Sequence, residues 1–210
     1  VKGEIDHKDS LGNSGRILDG CCQWMTAGGG ILHQEMPKAS PRMLGLQLWI
    51  NLPAGEKMVH PKYRDITPDD IPTIEESGAT IRVVTGRYGN IDGAARGEYV
   101  DVLFLDADLR PGHVWEMETT PGHTVFSYIM EGSCVFEPGG TLEPARRAVL
   151  FSDGDKVRLQ AGPEGARLVM VSGKPLREPI AWGGPIVMNT EEELRQAFLE
   201  LEEGTFIRHG

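Results

Sequence analysis

The sequence predicts an all-β fold of the sandwich or barrel type. Short strand-like runs separated by turn signals fill most of the chain, and several alternate apolar and polar residues as half-buried strands do. Glycine and proline are abundant, at 27 and 14 residues, while aromatic residues make up only 7% of the chain. Turn residues spaced in this way are typical of sandwiches and barrels.

The predicted strands form two groups. Residues 53–79 are rich in proline and acidic residues and lack the alternation, so they predict an irregular crossover. We therefore place a boundary near residue 70, which divides the chain into domains 1–70 and 71–210. The strands predicted on either side are 46–52, 81–84, 100–105, 124–130, 133–136, 156–160 and 167–171.

One α-helix is predicted at the C-terminal end of the second domain, over about 190–203. Thr190 and Glu193 have the spacing of a capping box. Gly204 is a suitable terminator. The apolar stripe of this helix falls at i, i+3, i+4 and i+7, as expected for a helix docked on its own sheet; it consists of Leu194, Ala197, Phe198 and Leu201.

Composition limits the classes of function. The formal net charge of −10 disfavours direct binding to nucleic acid. No apolar run reaches the ~20 residues that a membrane helix needs, and we expect no membrane association. Three cysteines and no apolar signal core predict a reducing, cytoplasmic compartment.

A faint internal repeat predicts a duplicated β unit. Gly20 is followed seven residues later by Ala27-Gly28, and Gly154 is followed seven residues later by Ala161-Gly162. Each copy then enters an apolar strand, 45–52 in the first and 167–171 in the second.

His33 and Glu35 are the candidate metal ligands. Residues two apart on a strand point to the same face, so the imidazole and the carboxylate would project together. This pair suits Fe(II), Mn(II), Ni(II) or Zn(II). His-x-Glu alone is a weak motif for a metal site. The second copy of the repeat, however, has Arg167 and Val169 at the matching offsets. A pair required only by the structure of the strand would be expected in both copies, so its presence in the first alone favours a metal site there.

Two neighbouring features receive structural interpretations. The run Ala27-Gly28-Gly29-Gly30 lacks the Lys-Ser/Thr of a phosphate-binding loop and is interpreted as a tight turn that delivers the strand with His33. His7 lies in a charged hairpin end, Asp6-His7-Lys8-Asp9, and is predicted to be solvated rather than ligating.

The chain resembles the pirin family of the cupin superfamily. The segment 23–37, QWMTAGGGILHQEMP, followed by GLQLWINLP at 45–53, carries most of the resemblance. Shorter matches lie at 7–12, 56–58, 175–179 and 184–190. The resemblance implies a bicupin: two double-stranded β-helix (jelly-roll) barrels, the first incomplete and metal-binding, the second metal-free, with the C-terminal helix.

The resemblance also implies a site and an activity. In the family three histidines and one glutamate bind a single iron, and His33 and Glu35 match the second ligand pair. The first pair, a His-x-His strand, falls before Val1. Three interpretations stay open: the sequence is part of a longer protein, which we favour; the chain is a naturally short, metal-free form; or another residue substitutes, with His7 nearest.

Two functions follow from the resemblance. The first, which requires the missing His-x-His pair to be present in the full-length protein, is a quercetinase-like dioxygenase. It would use Fe(II), or another divalent metal, on a small flavonol-like aromatic, with Glu35 as ligand and proton acceptor. The second is a non-catalytic, metal-dependent partner of transcription factors, nuclear in a eukaryotic cell. Family members of both kinds exist.

Overall fold

The computed structural model describes residues 2–208, which form two compact units. One comprises Val1–Pro68 with Leu176–Gly210, and the other comprises Asp69–Pro175. Short 3-10 turns lie at Ala54–Glu56 and Pro68–Asp70. In chain order the strands and the helix are β1 (Ile5–Asp9), β2 (Ser14–Ile17), β3 (Cys22–Thr26), β4 (His33–Pro37), β5 (Lys62–Ile66), β6 (Thr73–Glu76), β7 (Ala79–Thr85), β8 (Arg87–Tyr88), β9 (Ile91–Asp92), β10 (Val102–Leu109), β11 (Val114–Glu118), β12 (Thr124–Val135), β13 (Glu143–Pro144), β14 (Arg147–Leu150), β15 (Lys156–Gly173), β16 (Ala181–Gly183), β17 (Ile186–Met188) and α1 (Glu191–Glu203).

The all-β prediction with one C-terminal helix is confirmed. The second unit is built on an antiparallel eight-stranded sheet with the order β13-β12-β15-β10-β7-β6, in which β11 also pairs with β15 and β14 with β12. Alternate residues of these strands point inward and fill an apolar core. Its fully buried members include Ile81, Val83, Leu105, Ile129, Leu159, Leu168 and Met170.

Two pairs of predicted strands are single long strands in the structure. Predicted strands 124–130 and 133–136 are both part of β12, and 156–160 and 167–171 are both part of β15. The glycines between them cause register shifts rather than turns. A Cβ at Gly132 would lie 2.1 Å from the carbonyl oxygen of Gly165, so only glycine fits where these backbones meet.

The first unit contains a three-stranded sheet of order β2-β1-β4, the pair β3-β5, the hairpin β16-β17 and α1. The predicted glycine turn precedes β4. Gly28 has φ +52° and a Cβ there would lie 2.1 Å from the carbonyl oxygen of Val59. The turn therefore requires glycine, and it leads into the strand that carries His33.

The predicted strand over 46–52 is wrong. Leu44 makes an isolated bridge with Lys2, but residues 46–52 belong to no strand, and Leu46 and Trp49 are 44% and 54% exposed. An alternating pattern reports side-chain preference, whereas a strand also needs a neighbour for its backbone groups. In the part of the chain that the structure describes, none runs alongside this segment.

The helix prediction is confirmed at both ends. Thr190 accepts a hydrogen bond from the Glu193 amide, and the Glu193 carboxylate accepts one from the Thr190 amide, which completes the capping box. Gly204 ends the helix with φ +71°. Leu194 and Ala197 are buried in a small cluster with residues of the β16-β17 hairpin.

The segment from Leu176 onward groups with the first unit, although the sequence pattern places it in the second domain. Its contacts explain this grouping. The Ala54 amide donates to Glu178 Oε2 at 2.8 Å, and a Cβ on Gly30 would lie 2.7 Å from the ring of Phe206. No local sequence pattern could predict these contacts, because the residues involved are far apart in the sequence.

Candidate metal centre

The register between β1 and β4 gathers four polar side chains on one face of the first unit. These strands are antiparallel, with His7 opposite Glu35 and Asp9 opposite His33. Because alternate residues share a face, all four side chains project to the same side. The sequence prediction that His33 and Glu35 project together fits this register.

Two imidazoles and one carboxylate lie close enough to share a metal ion. One ring nitrogen each of His7 and His33 and one carboxylate oxygen of Glu35 all lie within 4.8 Å of one another. His33 Nδ1 and Glu35 Oε1 are 3.8 Å apart, and their side chains are 28% and 35% exposed. Among residues 2–208, no other three His, Cys, Asp or Glu side chains form such a group.

The prediction that His7 is solvated is wrong. Its side chain is only 1% exposed, and its ring stacks on Tyr63 with centroids 4.7 Å apart and planes inclined by 10°. The charged neighbours in the sequence suggested a solvated hairpin end. The sequence feature that could have indicated this burial is His7-x-Asp9, a pair on one face of a strand like His33-x-Glu35. The strand that pairs with β1 lies about 25 residues further along the chain, so the local sequence does not reveal it.

Hydrogen bonds distinguish the two ring nitrogens of His7. Nε2 lies 3.3 Å from Asp9 Oδ2, whereas Nδ1 is buried and has no hydrogen-bond partner among the described residues. A buried nitrogen without a partner is unfavourable unless something else satisfies it. The orphaned Nδ1 next to two further donors fits a site for a metal ion.

Asp9 is held as a carboxylate. Its side chain is fully buried, and it accepts hydrogen bonds from the Leu11 amide, the Asn13 amide and the Asn13 side chain, each at 2.9 Å, in addition to the contact with His7. Burial raises the pKa of Asp9, but the hydrogen bonds from Asn13, His7 and Leu11 outweigh it and hold the pKa below its ordinary value.

Tyr63 is fixed from its other end. Its hydroxyl donates to Asp65 and accepts from Gln23, residues that face each other in the β3-β5 pair. Burial and the hydrogen bond to Asp65 raise the pKa of Tyr63 above its ordinary value, so the phenol stays protonated. The ring that stacks on His7 is therefore anchored at its hydroxyl.

The three donors are two imidazole nitrogens and one carboxylate oxygen. Such a set suits Fe(II) and related divalent ions. The side that carries His33 faces a shallow opening lined also by Lys8, Leu32 and Gln34. His33 and Glu35 are thus reachable from solvent, whereas His7 approaches from the buried side.

The β-sheet fold is that of a cupin protein. A family model described as Pirin matches residues 1–50, and one described as Pirin C-terminal cupin domain matches residues 104–207. The chain belongs to the pirin family, as the sequence resemblance predicts. No helix among the described residues is long and apolar enough to cross a membrane.

Individual relatives support the same assignment. Human Pirin is 39% identical over 202 residues, which cover 94% of this chain and 69% of that protein. A Thermoplasma acidophilum protein, named provisionally as a quercetin 2,3-dioxygenase, is 38% identical over 229 residues, covering 100% of this chain and 87% of its own. The crystal structure of quercetin 2,3-dioxygenase from Acinetobacter baumannii matches with a TM-score of 0.86 and 33% identity, over 98% of this chain and 73% of that one.

Proposed function

We propose that this chain binds one divalent metal ion, expected to be Fe(II), through His33 and Glu35, and acts as a dioxygenase on a flavonol-like aromatic. The observation that carries the proposal is the close grouping of these two side chains with a third donor that is buried. The similarity to a structure titled quercetin 2,3-dioxygenase supports the reaction class. The donor chemistry supports iron, although related divalent ions fit the same set.

The two residues would have different tasks. When bound, iron would supply a Lewis acid and an electron source for O₂. His33 would contribute an imidazole nitrogen and hold the ion at β4. Glu35 contributes a carboxylate that is 35% exposed, and we assign to it the acceptance of the proton from the substrate hydroxyl.

The direct test is consumption of quercetin under O₂ by the purified chain after anaerobic loading with Fe(II). We expect the flavonol absorbance to fall only in the presence of iron. Glu35→Gln should reduce the rate about 10²–10⁴-fold because it removes both a charged ligand and a base. Glu137→Gln, at an exposed acid of the second unit, is the matched control and should leave the rate unchanged. A folded, iron-loaded chain that consumes no flavonol would contradict the enzymatic assignment.

For the second unit we propose a metal-free, structural role. Arg167, which the repeat aligns with His33, donates to Asp106 at 3.0 and 2.7 Å. The interior beneath is filled by apolar side chains. Metal analysis of iron-loaded protein should give one ion per chain, and a second tightly held ion would contradict this role.

Exposed apolar residues in β4 and in the segment after it favour a second candidate, a non-catalytic, metal-dependent protein partner. Met36, Leu46 and Trp49 are 52%, 44% and 54% exposed, and exposed apolar surface is typical of protein contacts. Metal binding that requires His33, with no flavonol consumed, would favour this candidate over the enzyme. The net charge of −10 makes a protein surface a better partner than nucleic acid.

A further inference from the structure

We propose that the free edge of β14 binds an extended acidic peptide segment of another protein, which would add a strand to the eight-stranded sheet of the second unit. We call this surface the β14 edge, and it consists of Arg146, Arg147, Ala148 and Leu150. The proposal does not depend on the proposed metal site, because all four residues belong to the second unit.

The backbone of β14 is paired on one side only. β14 runs antiparallel to β12, and no other strand among residues 2–208 pairs with it. The amide of Phe151 donates to the carbonyl oxygen of Val125 at 3.0 Å. Because residues that face the partner strand alternate with residues that face away, the amide and carbonyl groups of Ala148 and Leu150 point to the free side. This unpaired row is the template to which a peptide strand can add.

A β-bulge places two consecutive arginines at the start of this edge. The amide of Arg146 donates to the carbonyl oxygen of Ile129 at 2.7 Å, and Arg147 also pairs with Ile129, so two residues oppose one. Arg146 has φ +68°, a left-handed conformation that glycine normally takes in such bulges. Strained positions of this kind cluster at ligand-binding sites, and arginine here has a cost that glycine would avoid.

The side chains of the β14 edge indicate the chemistry of the occupant. Arg146 and Arg147 are exposed, and neither side chain has an ion pair or hydrogen bond with another described residue. Arg158 and Arg167 of the same unit, by contrast, are paired with carboxylates. Two uncompensated guanidinium groups favour carboxylate partners. Leu150, which is 72% exposed, offers an apolar contact on the same edge.

A second copy of the chain suits this edge less well than an acidic segment of another protein. Two β14 edges paired with each other would bring four guanidinium groups together. The acidic strand β6 lies at the other end of the sheet order, but its carboxylates are already engaged: Glu75 accepts from the Thr80 hydroxyl at 2.8 Å and Glu76 from the Tyr88 hydroxyl at 2.9 Å. Arginine on an edge also hinders aggregation, yet the exposed Leu150 beside it opposes that role.

The experiment is a fluorescence-polarisation titration of a labelled probe peptide with the 210-residue chain. The probe alternates threonine and valine over four residues and ends in two glutamates. In antiparallel pairing it can set a valine opposite Leu150 and the glutamates opposite Arg147 and Arg146. One control peptide carries glutamine in place of both glutamates. A second keeps the glutamates but has N-methylated amides, which cannot donate to the carbonyl groups of the edge.

Three variants separate charge, bulge and backbone. Arg147→Glu reverses a charge and should weaken binding at least about tenfold. Arg146→Gly keeps the bulge conformation and should weaken binding without loss of stability. Ala148→Pro removes only an outward amide, which an edge strand tolerates, and should also weaken binding. Arg110→Glu makes the same charge change at an exposed arginine of the second unit outside the β14 edge, and it should bind the probe like the wild type.

The comparison of peptides on the unsubstituted chain does not depend on the folding of any variant. We expect the acidic probe to bind and both control peptides to bind at least about tenfold more weakly. Equal binding of the three peptides, or no binding of the acidic probe, would overturn the inference. Equal weakening by Arg147→Glu and Arg110→Glu would reduce the effect to net charge and overturn it as well. Sedimentation that shows self-association of the chain, abolished by Arg147→Glu, would assign the edge to a second copy instead.

Discussion

The β1-β4 face of the first unit and the β7-β10-β15 face of the second use polar side chains in opposite ways. On the first face, lone pairs from His7, His33 and Glu35 converge within 4.8 Å. On the second, the Asp106 carboxylate receives two hydrogen bonds from Arg167, and Arg82 Nη1 lies 3.6 Å from it.

The difference lies in where the positive charge comes from. In the second unit two guanidinium groups of the chain supply it, and the hydrogen bond and charge of Asp106 raise the pKa of Arg167. In the first unit the clustered groups are two imidazoles and a carboxylate, which are donors that suit a cation from solution. The same antiparallel pairing thus brings together candidate metal donors in one unit and a closed ion pair in the other.

The prediction with the largest expected effect concerns the second unit, whose stability we expect to depend on apolar packing and not on a metal ion. Leu168→Ala removes a fully buried side chain from its core and should reduce the free energy of unfolding by about 2–5 kcal/mol. Leu150→Ala, at a residue that is 72% exposed, should change it little. Denaturant unfolding measures both. Rescue of Leu168→Ala by added metal would contradict the comparison.

The elements predicted correctly from the sequence are those that local patterns determine. The capping box at Thr190, the glycine turn before β4 and the same-face pair His33-x-Glu35 each depend on residues within a few positions of one another. Secondary structure of this kind needs no knowledge of distant contacts.

The errors concern neighbours that are remote in sequence. His7 is buried because Tyr63 stacks on it, 56 positions away, and its charged sequence neighbours gave the opposite indication. Residues 46–52 have the alternation of a strand but no partner strand in the described part of the chain. Burial and pairing are tertiary properties, and a single sequence contains no direct record of them.

The prediction with the second-largest expected effect concerns the stabilisation of the first unit by a bound metal ion. A ligand that binds only the folded state at a free concentration 100 times its Kd stabilises that state by about 2.7 kcal/mol. We therefore expect a saturating divalent metal to raise the stability of the wild type by about this amount and His33→Ala to show no such gain. His113→Ala, at a histidine of the second unit, is the control. An equal gain in His33→Ala, measured by denaturant unfolding with and without metal, would place the ion elsewhere.

The prediction with the third-largest expected effect concerns the ion pair between Arg167 and Asp106. Arg167 is the residue that the repeat aligns with His33. Arg167→Met keeps the aliphatic stem but leaves Asp106, whose side chain is 16% exposed, with only the longer contact to Arg82. We expect a loss of about 1–3 kcal/mol, because the pair is partly buried. Arg158→Met, which removes an exposed pair with Glu116, should cost about 0–1 kcal/mol. Equal losses in the two variants would show that the Arg167 pair is no different from a surface contact.

The smallest effect is a pH response confined to the first unit, at the start of α1. Hydrogen bonds from Thr190 hold the pKa of Glu193 below its ordinary value of 4.5. A carboxylate with a lowered pKa stabilises the folded state above its ordinary pKa, and this contribution disappears as the pH falls through the lowered value. The backbone amide of Thr190, which donates to Glu193 Oε2 at 2.9 Å, should report this loss in its NMR shift below about pH 4.5.

Glu193→Gln separates the charge from the hydrogen bond in that response. The glutamine oxygen can still accept from Thr190, so the cap should persist while the acid-induced shift of the Thr190 amide disappears. Glu202→Gln, near the other end of α1, should keep the wild-type response. The same shift in Glu193→Gln would assign the titration to another acid of the first turn, and a shift in amides of β15 would show that the second unit shares it.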